Sequence, residues 1–257
     1  LKNLNTSNAV LQGVVDKGAA ILEFEEVYRD PYADRTIDVS NKHSLTNEQH
    51  LALSEIIHSY DQHEATTFLL HGITGSGKTE VYLQAIERSL MDQKEAIVLV
   101  PEISLTPQMT NRFKERFGSL VAVLHSGLST GEKYDEWRKI SRGEVKVVVG
   151  ARSAIFAPFQ NIGLIILDEE HEGTYKQDDS PRYHARDVAI WRSEYHHCPV
   201  ILGSATPSLE SYARAKKGNY SLLTLAKRPR EQALPEVSII DMREQLKNGN
   251  RSMFSLE

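Results

Sequence analysis

The sequence predicts an α/β fold built around a doubly wound parallel sheet. Short apolar runs recur from residue 67 onward, and segments with helical spacing separate them. The runs are nearly continuous in Val, Ile and Leu, which indicates strands buried on both faces and joined by helical crossovers. Six strands are therefore expected: Phe68–Leu70, Ala96–Val100, Val121–Leu124, Val145–Val149, Leu164–Leu167 and Val200–Leu202.

The helices predicted around these strands have apolar residues at helical spacing. One of them also carries end signals, because Ser129 and Glu132 form a capping box at its start and Gly143 follows its end. The predicted helices are Asn47–Tyr60, Glu80–Leu90, Pro107–Phe117 and Thr130–Ser141.

The first 40 residues have a different pattern from the rest. A helix is predicted over Thr6–Lys17 and a strand over Ala20–Tyr28, followed by a polar linker. We therefore expect a small module at residues 1–40, a main domain at 41–230 and a connector at 231–257. Because the chain begins with Leu1 instead of methionine, we expect it to be a piece of a longer protein.

Composition and charge are those of an ordinary globular protein. No apolar run approaches the roughly 20 residues that cross a bilayer, and the single cysteine, Cys198, cannot form an intrachain disulfide, so a cytoplasmic protein is expected. Residues 1–66 carry 5 basic and 11 acidic side chains, and the rest carries 25 basic and 24 acidic ones. Neither part is basic enough to hold nucleic acid by bulk electrostatics, so any such contact must come from local patches.

Residues Gly72–Thr79 read Gly-Ile-Thr-Gly-Ser-Gly-Lys-Thr, which fits GxxxxGK[ST], a loop that wraps nucleotide phosphates in backbone amides. Glycines are needed because the main chain must curl closely around the anion. We predict that Lys78 reaches the outer phosphates and that Thr79, which opens the next helix, ligates Mg²⁺. The predicted ATP- or GTP-binding residues are Gly72, Thr74, Gly75, Ser76, Gly77, Lys78 and Thr79.

An acidic motif, Asp168-Glu169-Glu170-His171, directly follows a predicted buried strand. We expect the tip of that strand to lie next to the tip of the strand before the glycine-rich loop. Phosphoryl transfer with magnesium needs one carboxylate near the metal and another that orients the attacking water. Asp168 suits the first task and Glu169 the second, so the predicted catalytic set is Lys78, Asp168 and Glu169.

The sequence alone leaves two roles open for each of three further polar residues. Ser204 and Thr206 follow the last predicted strand, where their hydroxyls either hydrogen-bond to the acidic motif or belong to a simple turn. The amide of Gln49 matches the donor and acceptor edge of adenine, although a single glutamine on an amphipathic helix is usually a surface residue.

These motifs, in this order, resemble those of superfamily 2 helicases over about residues 45–230. Three segments are similar, more narrowly, to the primosomal replication-restart helicases: Val100–Gln108, Gly150–Phe159 and Asp168–Tyr175. The resemblance implies a RecA-like first helicase lobe that uses ATP and Mg²⁺. It also implies 3′→5′ unwinding of DNA at stalled replication forks, with single-stranded and forked DNA, replication-restart proteins and single-strand-binding proteins as partners and no membrane.

The resemblance also assigns roles to individual residues. Gln49 becomes an adenine reader, and Asp168 a magnesium ligand together with Thr79. The residues that couple hydrolysis to movement become His171, Ser204 and Thr206. An aromatic-rich loop at Glu172–Asp187 is implied to contact DNA. The implied DNA-binding residues are Arg152, Tyr175, Lys176, Arg182, Tyr183 and His184.

The resemblance makes residues 1–40 the end of a winged-helix module, with Asn8–Lys17 in the position of its recognition helix. The zinc-binding cysteines of the family lie after this segment, in a second lobe, so zinc is not expected here. The arginine fingers of that lobe are also absent, so slow turnover is expected. Two other functions remain open: a nucleotide-dependent switch that docks partner proteins, and a small-molecule kinase.

Overall fold

The computed structural model describes residues 7–23, 28–29, 42–229, 240–247, 249 and 252. Within this part of the chain, seven strands form one parallel sheet: β1 (Thr67–Gly72), β2 (Glu95–Leu99), β3 (Val121–Leu124), β4 (Val147–Gly150), β5 (Ile162–Leu167), β8 (Val200–Ser204) and β9 (Ser221–Leu225). Two short strands, β6 (Lys176–Gln177) and β7 (Tyr183–His184), pair as an antiparallel hairpin. The spatial order in the sheet is β3-β4-β2-β5-β8-β1-β9. The predicted doubly wound α/β fold is therefore confirmed.

Helices cover both faces of the sheet. The helices of the described residues are α1 (Asn8–Asp16), α2 (Asn47–Asp61), α3 (Lys78–Met91), α4 (Pro107–Phe117), α5 (Thr130–Ser141), α6 (Ala185–His196), α7 (Leu209–Lys216) and α8 (Met242–Lys247). Capping boxes begin α2, through Thr46 and Gln49, and α5, through Ser129 and Glu132.

The core lies in two layers because neighbouring residues of each strand point to opposite faces. Phe68 and Leu70 join the apolar cluster that includes residues of α2, α3 and α4. Leu69, between them, joins the cluster that includes residues of α5 and α6. Every residue of β2, β3, β4, β5 and β8 is buried, which is why these strands read as unbroken apolar runs.

The sequence pattern located the buried strands of the sheet better than its edge strand β9. All six predicted strands are present, with boundaries that differ by at most two residues, and α4 and α5 begin and end where predicted. The prediction missed β9, an edge strand in which Thr224 is exposed and the apolar run is interrupted. It also missed α6 and α7. The polar residues of these two helices make the helical spacing of their apolar residues less apparent in the sequence.

One expected neighbour relation is wrong. The strands that carry the glycine-rich loop and the acidic motif, β1 and β5, are not adjacent, because β8 lies between them. Leu69 pairs with Leu202 of β8, and Leu202 pairs in turn with Leu167. Three strand tips therefore meet at the carboxyl edge of the sheet, and the middle one ends in Ser204.

The N-terminal predictions are tested only in part. Ser7 caps α1, which has no buried residue, so the predicted helix is confirmed within its described part. Residues 20–23 form no strand, and residues 24–27 of the predicted strand lie outside the described residues. Tyr28 bonds to Glu144, and the backbone of Arg29 bonds to Asp135 on α5. The three domain boundaries stay predictions.

The segment 172–187 is more ordered than a loop. It contains a 3₁₀ turn at Gly173–Tyr175, the β6–β7 hairpin and the first residues of α6. The prediction of a single aromatic-rich loop is therefore wrong for its last part, where α6 begins at Ala185.

Among the described residues, no helix has the length and apolar character that a membrane span requires.

Candidate active site

At two positions of the glycine-rich loop between β1 and α3, the backbone has a conformation that glycine adopts more readily than other residues. Gly75 and Gly77 have φ angles of 81° and 82°, in the left-handed region. The Ile73 N–H donates to the Leu225 carbonyl at 3.3 Å, and the Ser76 N–H donates to the Ile73 carbonyl at 2.9 Å. The loop is thus a defined turn that ends where Lys78 opens α3.

Two side chains of this loop are suited to an anion. The Lys78 ammonium is buried and donates to the Gly72 carbonyl at 2.9 Å. The Ser76 hydroxyl is buried without a hydrogen-bond partner in the described part of the chain. A buried cation and an unsatisfied hydroxyl beside a helix N-terminus form an environment that favours phosphate.

The tip of β5 supplies the opposing carboxylates. The Tyr82 hydroxyl on α3 donates to Asp168 Oδ1 at 3.0 Å, which fixes this carboxylate relative to the loop. Burial is the main cause that raises the pKa of Asp168, with the charge of Glu169 adding to it, while Tyr82 and Lys78 oppose the rise. Glu169 follows with a φ angle of 47°, a left-handed conformation that is costly for a residue with a Cβ.

The approach of α3 to β8 depends on Gly203. A Cβ at Gly203 would overlap the Tyr82 hydroxyl and would lie 3.3 Å from Asp168 Oδ1. Glycine is therefore required here for close packing between the middle strand tip and the Tyr82–Asp168 hydrogen bond.

The loop and the acidic tip line one cavity of about 550 Å³. Lys78, Thr79, Asp168 and Glu169 all border it, so the predicted catalytic and magnesium residues are brought together. Residues that the sequence analysis missed also contribute to its wall: His43, Glu80, Leu83, Arg112, Glu115 and Arg116. Arg116 pairs with Glu80 at 3.1 Å and also with Glu87, which anchors α4 against α3 beside the cavity.

The three residues predicted to couple hydrolysis to movement are also in contact. His171 Nδ1 lies 2.8 Å from the Ser204 hydroxyl, and His171 Nε2 lies 3.5 Å from the Thr206 hydroxyl. The Thr206 N–H donates to Ser204 Oγ at 3.0 Å. The acidic motif is therefore hydrogen-bonded to the segment after β8, and the reading of that segment as a simple turn is wrong.

Glu170 is a residue that the sequence analysis did not single out. Its carboxylate is buried and accepts from the Ser208 N–H at 2.7 Å, the Ser208 hydroxyl at 3.1 Å and the Ser211 hydroxyl at 2.8 Å. The Arg186 guanidinium lies 3.7 Å away. This group ties the acidic motif to α7 and to the start of α6. The signals available in the sequence were a carboxylate close after a buried strand and, 38 and 41 residues later, the two serines Ser208 and Ser211.

Gln49 contacts the glycine-rich loop in this arrangement, and its role as an adenine reader stays a prediction. Gln49 is buried, and it does not border the cavity. Its amide nitrogen donates to the Ser76 carbonyl at 2.8 Å, and its amide oxygen accepts from the Thr46 N–H at 2.8 Å. Both ends of the amide are thus used inside the protein, and the side chain braces the glycine-rich loop.

A second cavity, of about 460 Å³, opens at the same edge of the sheet beyond the tips of β2, β3 and β4. Pro101, His125, Lys133 and Arg152 border it. The Arg152 guanidinium donates to the carbonyls of Thr174 and Lys176, so it also holds the start of the hairpin segment.

The implied DNA-binding residues of the segment 172–187 divide into two groups. Tyr175 is buried with its hydroxyl on the Asp168 carbonyl at 2.6 Å, and the His184 ring accepts from the Arg186 N–H as the cap of α6. The Tyr175 ring is therefore not open to a base in this arrangement, and the DNA-binding roles implied for both residues stay predictions. Lys176 and Arg182 are exposed, and Tyr183 is half-buried against Phe156.

Comparison with known proteins identifies the family. The model of the family described as DEAD/DEAH box helicase matches residues 46–215, about two thirds of the chain. The chain belongs to this helicase family. The match begins at residue 46, close to residue 45, where the resemblance to superfamily 2 helicases begins.

Among curated relatives of the helicase chain, Replication restart protein PriA of Bacillus subtilis is 64% identical over 256 residues, which cover 100% of this chain and 32% of the relative. Replication restart protein PriA of Synechocystis is 47% identical over 260 residues, 99% of this chain and 31% of the relative. The chain thus spans about a third of the length of these relatives. The resemblance to replication-restart helicases is confirmed.

Solved structures agree with the helicase fold. RecG bound to a three-way DNA junction is 27% identical with a TM-score of 0.56, covering 74% of this chain and 25% of that chain. The UvsW helicase of bacteriophage T4 is 18% identical with a TM-score of 0.50, covering 85% of this chain and 77% of that one, and it supports the fold alone. The RecA-like helicase lobe that the resemblance implies is confirmed.

Proposed function

We propose that this chain is the ATP-binding lobe of a DNA helicase that moves 3′→5′ and acts at stalled replication forks to restart replication. The observation that carries the proposal is that the glycine-rich loop, Asp168 and Glu169 line one cavity together. The choice of DNA and of replication restart is supported by the relatives named Replication restart protein PriA. Unwinding itself is proposed for a longer protein that contains this lobe.

The ATP-binding side of the proposal rests on the loop. Its backbone amides, from Thr74 to Thr79, would receive the phosphates, and Lys78 would leave the Gly72 carbonyl to meet the outer phosphate. Thr79 and Asp168 are the residues that would hold Mg²⁺, and the unsatisfied Ser76 hydroxyl fits a polar ligand there. The bound metal supplies charge stabilisation to the phosphoryl oxygens.

Glu169 is proposed as the residue that orients the attacking water. Its carboxylate borders the cavity beside Asp168, and its left-handed backbone conformation is the kind of strain that occurs at functional sites. His171, Ser204 and Thr206 would then relay a change at the acidic motif to the segment after β8. Their mutual contacts, between 2.8 and 3.5 Å, support that role.

The DNA side of the proposal rests on the second cavity and on the exposed part of the hairpin segment. Arg152, Lys176 and Arg182 would meet phosphates, and Tyr183 would offer the edge of an aromatic surface. Single-stranded and forked DNA, replication-restart proteins and single-strand-binding proteins are the proposed partners of the longer protein, with the cytoplasm as its location.

ATP hydrolysis by the longer protein, measured with and without forked DNA, tests this function. We expect DNA to stimulate hydrolysis. Either Lys78→Ala or Glu169→Gln should reduce the stimulated rate by at least about 100-fold. The 257-residue chain alone is expected to turn over slowly. Fast DNA-stimulated hydrolysis by the chain alone would contradict the need for a second lobe.

The near-neutral charge of residues 67–257 supports one alternative, a nucleotide-dependent switch that binds partner proteins without translocating. The same measurement distinguishes the two functions. A rate that forked DNA leaves unchanged, together with nucleotide-dependent binding to a protein partner, would select the switch and reject the helicase.

A further inference from the structure

Side chains from other parts of the lobe donate hydrogen bonds to carbonyls of the glycine-rich loop. A loop that turns its N–H groups toward an anion leaves carbonyls on its outer side, and these need donors of their own. The Ser76 carbonyl receives the Gln49 amide at 2.8 Å, and the Thr74 carbonyl receives Arg228 Nε at 3.2 Å. Two side chains from opposite ends of the lobe therefore serve the same loop in the same way.

Arg228 lies in the segment that follows β9. Its side chain covers Gly75, since a Cβ built there would lie 3.7 Å from Arg228 Nε. Pro229, the next residue, would similarly lie 3.4 Å from a Cβ at Gly77. The two glycines with left-handed backbones are thus each covered by one residue of this segment.

The segment is itself fixed to the rest of the lobe. The Lys227 N–H donates to Glu48 Oε2 at 3.0 Å, which ties the segment to the start of α2. The end of β9 receives the Ile73 N–H on the Leu225 carbonyl at 3.3 Å. Arg228 therefore extends from a backbone that is anchored at two points just before it, Leu225 and Lys227, and its hydrogen bond limits the movement of Thr74 and Gly75.

We propose that Arg228 is a positioning residue for the nucleotide: it holds the Thr74–Gly75 part of the loop in the phosphate-wrapping conformation, as Gln49 holds the Ser76–Gly77 part. The inference rests on the proposed function, in which Gly72–Thr79 binds a nucleotide. Arg228 does not border the nucleotide cavity. It acts by reducing the conformational freedom that the loop would otherwise lose on binding.

The neighbouring lysine provides a matched control. Lys227 is exposed and bonds to Glu48 through its backbone, so Lys227→Met removes the same charge one residue away and keeps that contact. Arg228→Met keeps the length of the side chain and removes the donor. Arg228→Lys keeps a donor that reaches toward the Thr74 carbonyl.

Titration calorimetry of the 257-residue chain with Mg–ADP tests the inference. We expect Arg228→Met to weaken binding about three- to tenfold, since a charge-assisted hydrogen bond is lost, with Arg228→Lys restoring most of it and Lys227→Met having no effect. Amide hydrogen exchange in the peptide over residues 72–79, without nucleotide, should be faster in Arg228→Met only.

The outcomes separate the inference from the function on which it rests. Normal Mg–ADP affinity and normal loop exchange in Arg228→Met, with a wild-type chain that binds, would overturn the inference alone. Weakened binding that Arg228→Lys does not restore, accompanied by a lowered melting temperature, would assign Arg228 a general structural role and also overturn it. A wild-type chain that does not bind Mg–ADP would remove the proposed function and this inference together.

Discussion

Two adjoining regions differ in how their polar groups are held: the strand-tip region, made of Asp168–His171 with Gly203 and Ser204, and the surface segment Glu172–His184. In the strand-tip region, Glu170 and Ser204 are buried and hydrogen-bonded, and Asp168 is fixed by Tyr82. In the surface segment, the exposed Lys176 side chain pairs with the exposed Asp178. The comparison teaches that chemistry requiring fixed geometry lies on buried strand ends, while groups for adaptable contacts remain in solvent.

The largest expected difference between the regions concerns two glutamates. Glu170→Ala leaves Arg186, Ser208 and Ser211 without their shared acceptor, so we expect the free energy of unfolding to fall by about 3 kcal/mol. Glu172→Ala, in the surface segment, removes a partly exposed carboxylate and should cost less than about 0.5 kcal/mol. Urea unfolding of both variants measures this, and equal losses would break the comparison.

Two glycines provide the second contrast. Gly203→Ala should destabilise the fold by about 2 kcal/mol, because the new methyl group overlaps the Tyr82 hydroxyl. Gly173→Ala, in the surface segment, meets nothing within 4 Å and should change stability by less than about 0.5 kcal/mol. Thermal unfolding of the two variants compares them directly. A Gly203→Ala variant as stable as wild type would show that the close packing at the strand tips is unnecessary.

Two tyrosines sharpen the boundary between the regions. Tyr175→Phe removes the hydroxyl that donates to the Asp168 carbonyl, and we expect a loss of about 1 kcal/mol in unfolding free energy. Tyr183→Phe should change stability by less than about 0.5 kcal/mol because its ring is half-buried at the surface. If chemical denaturation ranks the two variants in the opposite order, the hydrogen bond that joins Tyr175 to the strand-tip region does not stabilise the fold, and the comparison between the regions fails.

The smallest expected effect is a pH dependence that distinguishes two aspartates. The pKa of Asp168 is raised above its ordinary value of 3.8, so between 3.8 and the folded pKa the folded state binds the proton more tightly than the unfolded state. The contribution of this group to stability therefore falls as pH rises through that window. Asp168→Asn should remove this part of the pH slope and Asp178→Asn should not. Unfolding at several pH values measures the slopes, and identical slopes for the two variants would contradict the environment assigned to Asp168.

The strand-tip region was largely predictable because its motifs follow physical requirements that the sequence displays. Phosphate wrapping requires glycines and a lysine at fixed spacing, and a buried strand that ends in carboxylates puts them at the ligand edge of the sheet. Neither the place of β8 between β1 and β5 nor the overlap that excludes a Cβ at Gly203 was visible in the sequence. Both depend on the order of strands in space.

The surface segment was less predictable because residue type does not determine exposure. Aromatic and basic residues suggested a DNA-contacting loop, yet Tyr175 packs inward and His184 caps α6. The side chain of Gln49 presents the same difficulty. An amide that suits adenine equally suits two backbone groups, and only the structure reveals which partners it has. Arg228 gave no signal, since no motif marks a residue that contacts the loop from 154 residues further along the chain.

The central claim is that the glycine-rich loop and the acidic strand tip form one nucleotide site. Calorimetric titration of the 257-residue chain with the magnesium complex of a slowly hydrolysed ATP analogue tests it most directly. We expect one binding site, at least about 100-fold weaker in Lys78→Ala and unchanged in Lys217→Ala, an exposed lysine on α7's C-terminal side. Undiminished binding by Lys78→Ala, or no binding by the wild-type chain, would contradict the claim.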